Sequence, residues 1–226
     1  MVASDEVLRQ IAAQSSVPLW VPYPPPPGWL VTGVRWAGGD RTGPVATVVA
    51  CSGPHPLPTS MWDAEQAIRT AELLLVAEEP GVGLGARLAG LPSVDPGGAI
   101  GIGAPALKLR ADRHEVPLWL VEPGAEAGSG GGEPAGGAAG GDPAGRDPAG
   151  DALDTEWAEL EGTLSGRLPN GPDATRLVGE AAGVWLWVLL WPADAAAVLM
   201  EPFHLVDHRN VDHGLVLAYG ALSPRI

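Results

Sequence analysis

The chain has 226 residues, 46% of them hydrophobic, which is enough to bury one good-sized core or two small ones. Its net charge of −14, from 13 basic and 27 acidic residues, argues against binding to nucleic acid or to an anionic membrane surface, since both need a basic face. The single cysteine, Cys51, excludes an internal disulfide and a zinc site built from thiolates.

The N-terminal residues predict a short helix and no secretory signal. Within 4–13, Val7, Leu8 and Ile11 fall on one side of a helix. Acidic residues stand near the start, and no basic stretch leads into an apolar one, so we expect a cytoplasmic protein.

A β-hairpin is predicted next. Residues 29–37 alternate as a strand does, 38–43 carry a strong turn pattern, and 44–53 can return as the partner strand. A short helix is then predicted over 63–71. The apolar run at 72–79 predicts a strand, although it also allows this helix to continue.

Residues 123–152 differ from the rest of the chain, because they are almost wholly Gly, Ala, Pro and acidic residues. A segment without large apolar side chains cannot offset its own ordering entropy, so we predict a disordered, low-complexity insert. Residues 1–122 and 153–226 are accordingly interpreted as two arms of one domain.

Deleting residues 125–150 is expected to leave the melting temperature nearly unchanged, because such an insert contributes no buried apolar surface. Thermal unfolding of the full chain and the deletion variant, followed by circular dichroism, measures the difference. A large drop in melting temperature would show that the segment is structural.

Beyond the insert, apolar residues spaced four, three and four apart from Leu153 to Leu164 predict an amphipathic helix. A further helix is predicted over 192–200. Together with the hairpin, these elements indicate an α+β fold, mainly an antiparallel sheet with a few short helices. The remaining predicted strands are 116–119, 203–208 and 214–222.

Residues 183–192 hold three of the nine tryptophans within one apolar run. The uncharged window, 181–193, is too short for a membrane-spanning helix, which needs about 20 apolar residues. As a strand, the run places Trp185, Trp187 and Trp191 on one face and apolar residues on the other, which favours a core strand buried on both sides. The alternative is that the tryptophans line a ligand pocket.

Three segments contain residue types that carry out chemistry. In the first, Gly81, Gly83 and Ala86 match a loose dinucleotide-binding pattern. However, Glu78 and Glu79 would repel a phosphate, and the following helix would be too short for that fold. An ordinary glycine-rich connection is therefore favoured.

The second segment contains Cys51 and His55, which together suggest a thiolate nucleophile with an adjacent base. Free cysteine is also among the most buried residue types, so an inert core thiol is the favoured interpretation.

The third segment has the strongest metal-ligand pattern. His204, Asp207 and His208 are candidate metal ligands, because imidazole and carboxylate groups bind metals and the two histidines would share one face of a helix. Asp212 and His213 follow closely. The alternative is a polar turn between two closing strands, with His, Asp and Asn as turn formers.

Several blocks, among them WLVTGVRWAG, VVACSGPHPL and GVWLWVLLWP, together resemble a family of uncharacterised actinobacterial proteins over most of the chain outside the insert. Relatives in that family often begin with paired cysteines similar to a small zinc ribbon. This chain starts at Met1 without those cysteines, so the resemblance implies no zinc-dependent role; either the module is lost or the start codon is placed too late. The resemblance implies no catalytic residue and no cofactor.

Two functions follow from these patterns. The favoured one is a non-enzymatic cytoplasmic interaction or regulatory domain with a protein partner, since no convincing catalytic set is present and the insert is available for contacts. The alternative is a small-molecule- or metal-binding protein or enzyme that uses a tryptophan-lined pocket.

Overall fold

The structure is a computed structural model, and it describes residues 1–39, 41–56, 69–92, 94–97, 100–101, 103–122, 173–211 and 214–226. The predicted low-complexity insert at 123–152, the predicted helix at 153–164 and most of the one at 63–71 lie outside these residues. The assignment of 1–122 and 153–226 to one domain stays a prediction.

The described residues form two short α-helices, nine strands and two 3₁₀ helices. In chain order they are α1 (Asp5–Gln14), β1 (Trp20–Tyr23), β2 (Leu30–Gly39), β3 (Gly43–Pro54), β4 (Thr70–Glu78), α2 (Leu84–Leu88), β5 (Leu107–Ala111), β6 (His114–Leu120), β7 (Thr175–Ala181), β8 (Val184–Trp191), a 3₁₀ helix (Ala193–Met200), β9 (His204–Asp207) and a 3₁₀ helix (His208–Asn210).

These nine strands form one curled, mixed sheet in the order β1-β9-β5-β6-β7-β8-β4-β3-β2. Neighbours are antiparallel, except that β5 pairs with β9 in parallel through Ala111 and Leu205. Strands from before residue 123 and after residue 152 pair at several places, among them β4 with β8 and β6 with β7. The prediction of a sheet-dominated fold with few short helices is therefore confirmed.

Helix α1 begins where the sequence supplies a cap. The Ser4 side chain accepts a hydrogen bond from the Val7 N–H, and Asp5 and Glu6 in the first turn complement the positive end of the helix dipole. Leu8 and Ile11 are buried, as the predicted apolar stripe requires.

The tryptophan-rich run is strand β8, which lies between β4 and β7 in the sheet. Seven of its eight residues are buried, so the predicted core strand is confirmed. The strand separates two hydrophobic cores. Val188 and Leu190 pack with α1 and β1 in one core, and Trp187 and Leu189 pack with α2 in the other.

The hairpin of β2 and β3 and the strand β4 agree with the predicted segments. The prediction of a strand over 214–222 is wrong. This segment forms only an isolated parallel bridge, between Tyr219 and Val31. Leu215 and Leu217 still pack against the core, so their alternation reflects burial and not strand pairing. The predicted helix at 192–200 is a 3₁₀ helix.

Candidate functional site

A carboxylate of the chain itself accepts a backbone N–H of the glycine-rich segment that follows β4. Glu78, the last residue of β4, accepts a hydrogen bond from the backbone N–H of Gly85 at 3.0 Å. Helix α2 is only five residues long. Because Glu78 accepts a backbone N–H at the start of α2, the segment is a connection capped by the chain's own carboxylate.

Glu78 is completely buried and also accepts a hydrogen bond from the Trp187 Nε1–H at 2.6 Å. Burial raises the pKa of its carboxyl from 4.5 to about 7, although the hydrogen bonds from Gly85 and Trp187 act in the opposite direction. The carboxyl therefore changes protonation near neutral pH. Sequence reasoning missed it as a site residue, yet Glu78 is in phase with the buried Leu74 and Val76 along β4.

The other tryptophans of β8 are also engaged by charged groups of the chain. The Trp185 Nε1–H donates to Asp95 at 3.0 Å, and the same Asp95 oxygen accepts from the Gly81 N–H. Arg225 stacks over Trp191, 4.8 Å from the ring centroid, and forms an ion pair with Glu72.

The space beside Trp187 is occupied as well. A side chain at Gly85 would overlap the Trp187 ring, so the helix backbone lies directly on the indole. Trp187 is completely buried, and its polar atom bonds to Glu78. This packing speaks against the hypothesis of a tryptophan-lined pocket at this position.

The surroundings of Cys51 and His55 favour an inert thiol over a nucleophile with its base. Cys51 is buried in β3, and burial raises the pKa of its thiol to about 12, so the thiolate is scarce at neutral pH. The His55 Nε2 atom lies 2.9 Å from an oxygen of Asp194, and that hydrogen bond lowers the pKa of the Asp194 carboxyl. The inert core thiol is therefore the better interpretation.

Asp207, one of the three predicted metal ligands, is a buried hydrogen-bond acceptor. Its Oδ1 accepts from the Leu19 N–H at 3.1 Å, and its Oδ2 lies 2.8 Å from the Arg209 guanidinium. The Asn210 side chain donates to Oδ2 at 3.2 Å. Arg209 also donates to the backbone oxygen of Ser16, so the cluster fastens β9 to the start of β1.

The two histidines lie on either side of this carboxylate along the chain. The His204 ring packs edge-to-face on Tyr23, with 6.5 Å between ring centroids. His208 is buried, and burial lowers its pKa. Among the described residues no group of three or more His, Cys, Asp or Glu is placed to hold a metal. Asp212 and His213 lie outside them, and the metal hypothesis for His204, Asp207 and His208 stays a prediction.

The surface of the described residues includes two clefts of several hundred Å³. One, of about 450 Å³, lies where the 3₁₀ helix Ala193–Met200 begins, beside the His55–Asp194 pair. The other, of about 330 Å³, lies at one end of the curled sheet, between the β5–β6 turn and the β7–β8 turn. The residues lining the second cleft are Trp20, Ala111, Asp112, His114, Glu115, Val116, Glu180, Ala181 and Ala182. We call it the turn cleft.

Among the described residues, none of the helices has the length and apolar character needed to cross a membrane. No curated protein and no solved structure matches the chain. The model of DUF6758, described as a family of unknown function, matches residues 1–137 and 125–226. These matches extend from the first residue to the last, and they agree with the resemblance to an uncharacterised family. The chain therefore belongs to DUF6758, a family of unknown function.

Proposed function

We propose that this protein is a non-enzymatic cytoplasmic interaction or regulatory domain that binds a protein partner. The supporting observation is that the described side chains most capable of catalysis or metal binding are hydrogen-bonded within the chain or buried. Glu78 and Asp95 hold indole and backbone N–H groups, Asp207 holds Arg209, and Cys51 is buried.

An enzyme needs a titratable or nucleophilic group that can reach a substrate. Glu78 has the clearly perturbed pKa that such a group often has, but it is completely buried and bonded to Trp187 and Gly85. Its hydrogen bonds join β4, α2 and β8, which is the work of a structural group. The exposed turn cleft, in contrast, offers a surface for recognition.

Native mass spectrometry of the full chain, purified from an actinobacterial host without chelators, tests this function. We expect a polypeptide bound in fixed stoichiometry and retained after dilution. A stoichiometric metal ion or small organic molecule in place of a polypeptide would overturn the proposal and favour the ligand-binding alternative. A chain that carries no polypeptide after purification from the host would also count against the proposal.

A further inference from the structure

The segment that follows β4 covers part of one face of the sheet. Residues 79–92, which we call the α2 strap, include α2 and cross the sheet at β8, where the Gly85 backbone lies on the Trp187 ring. Leu84 and Ala86 of the strap are buried in the same hydrophobic core as Trp187 and Val178. The strap therefore keeps an apolar part of the sheet out of contact with water.

The strap has little stability of its own. Its helix has five residues, whereas an isolated helix needs about 12–15 residues to be even marginally stable in water. Gly81 and Gly90 lie on either side of α2 with φ angles of +88° and +75°, a backbone conformation that is easy for glycine. The position of the strap therefore depends on its contacts with the sheet.

Two carboxylates fasten the strap to β8. Glu78 lies where the strap begins, and it accepts from the Gly85 N–H of the strap and from the indole N–H of Trp187. Asp95, which lies beyond the other end, likewise accepts from one backbone N–H of the strap and from the indole N–H of Trp185. Each carboxylate thus bridges the strap and the sheet, and each bridge is lost if the strap moves away.

Glu78 differs from Asp95 in being completely buried, whereas Asp95 is partly exposed. Burial raises the pKa of the Glu78 carboxyl to about 7, and the nearby negative charge of Asp95 also raises it, while the hydrogen bonds from Gly85 and Trp187 lower it. Since the burial comes from the strap that lies over the carboxyl, an open strap would return Glu78 to water and to its ordinary pKa.

The other charged groups around Glu78 are directed elsewhere or lie in solvent. Glu79 accepts a hydrogen bond from the Ser16 hydroxyl. Arg87 on α2 is exposed, and so is Glu180, which lies across β8 from Glu78 in the same row of the sheet. On the other side, β3 places an alanine opposite Glu78. An ionised Glu78 is therefore a buried charge whose nearest acting charge, that of Asp95, is of the same sign.

We propose that the α2 strap is a proton-controlled cover: it lies on the sheet while Glu78 is protonated, and it opens about its flanking glycines when Glu78 is ionised, which exposes Trp187 and its apolar neighbours. The sheet beneath stays intact, because β4 and β8 are held together by their own ladder of seven residue pairs. This regulation goes beyond the proposed function and does not depend on it.

The test is hydrogen exchange of the ¹⁵N-labelled full chain, followed by NMR at pH 5 and pH 8 and corrected for the intrinsic exchange rate at each pH. The reporters are two strap amides, those of Arg87 and Ala89, which donate to Gly83 and Gly85. A pKa of about 7 in the closed strap and 4.5 in the open one should raise the equilibrium constant for opening about 70-fold between these pH values.

We therefore expect the protection factors of the two strap amides to be about 70-fold lower at pH 8 than at pH 5. At both pH values they should be lower than those of the β8 amides, since a local opening costs less free energy than global unfolding. Equal protection of the strap and of β8 at pH 8 would overturn the proposal, because the strap would then open only when the whole protein unfolds. Strap protection that does not change with pH would overturn it as well.

Glu78→Gln removes the proton that controls the cover, so its strap amides should show the same protection at pH 5 and pH 8. The matched control is Glu79→Gln, which changes the neighbouring carboxylate, bonded to Ser16 and not to β8, and should keep the wild-type response. A response that persists in Glu78→Gln would overturn the proposal. The comparison of strap and β8 amides in the wild type needs no variant, so it decides the matter even where Glu78→Gln does not fold.

Discussion

Replacing Asp207 by asparagine is expected to lower the free energy of unfolding by about 3 kcal/mol, because breaking a buried charge pair leaves the remaining partner without compensation. Asp207 is 2% exposed, and Arg209 is pinned between this carboxylate and the backbone oxygen of Ser16. The Leu19 N–H would also keep only an amide oxygen as a possible acceptor. Urea denaturation of both proteins at pH 7 measures the loss.

The control is Asp173→Asn, which removes an exposed carboxylate and should change stability by less than about 0.5 kcal/mol. The same experiment separates a structural role from a metal-binding one. If Asp207 acts through Arg209, the loss is the same with and without EDTA. A loss that disappears in EDTA would instead support the metal site at His204, Asp207 and His208.

Periodicity predicts a strand well when the residues that it marks as buried also pair with neighbouring strands. Strand β8 is apolar on both faces and is paired on both sides, so its sequence and its position agree. The tail at 214–222 shows where this reasoning fails. Leu215, Leu217 and Tyr219 alternate because they pack on the core, yet the backbone makes no regular ladder. Alternation reports which side chains are buried and does not report what the backbone pairs with.

Strands β5 and β7 escaped prediction for a related reason. Strand β7 contains Arg176 and Glu180 on the same face, and Gly179 on the other. Arg176 is nevertheless 4% exposed, so a residue type that normally signals a surface is in the interior. Strand propensity alone gives a weak signal when charged and glycine residues fall at buried positions.

The candidate sites, too, could be predicted only in part from the sequence. Sequence spacing drew attention to Asp207 and to the segment after Glu78, because charged and glycine residues are conspicuous there. It could not reveal that their partners are Leu19, Ser16 and Trp187, which are distant along the chain. The turn cleft was equally hidden, since Trp20 and Glu180 are far apart in the sequence and line one cleft only in the folded sheet.

The second large effect is a dependence of stability on pH that comes from Glu78. Its pKa is about 7 in the folded protein, against 4.5 for the same group without the fold. Between these values the folded state binds more protons than the unfolded state, so the contribution is fully present below pH 4.5 and is lost as the pH rises through 7. The rise in pKa from 4.5 to about 7 corresponds to about 3 kcal/mol.

Glu78→Gln is expected to remove this dependence, because the amide keeps the shape of the carboxyl and has no proton to lose. His208 acts in the opposite direction: its pKa is lowered by burial, so it favours the folded state more as the pH rises through 6.5. The quantity to measure is therefore the free energy of unfolding of wild type minus that of Glu78→Gln, from urea denaturation at pH 5 and pH 8. This difference should fall by about 2–3 kcal/mol between the two pH values.

Glu201→Gln provides the comparison, since Glu201 is exposed and its removal should leave the wild-type pH profile intact. A constant difference between wild type and Glu78→Gln from pH 5 to pH 8 would contradict the prediction. It would mean that the hydrogen bonds from Trp187 and Gly85 stabilise the charged carboxylate enough to offset its burial. Glu78 would then be an ionised helix cap at neutral pH, and the join between β4, α2 and β8 would be insensitive to pH in this range.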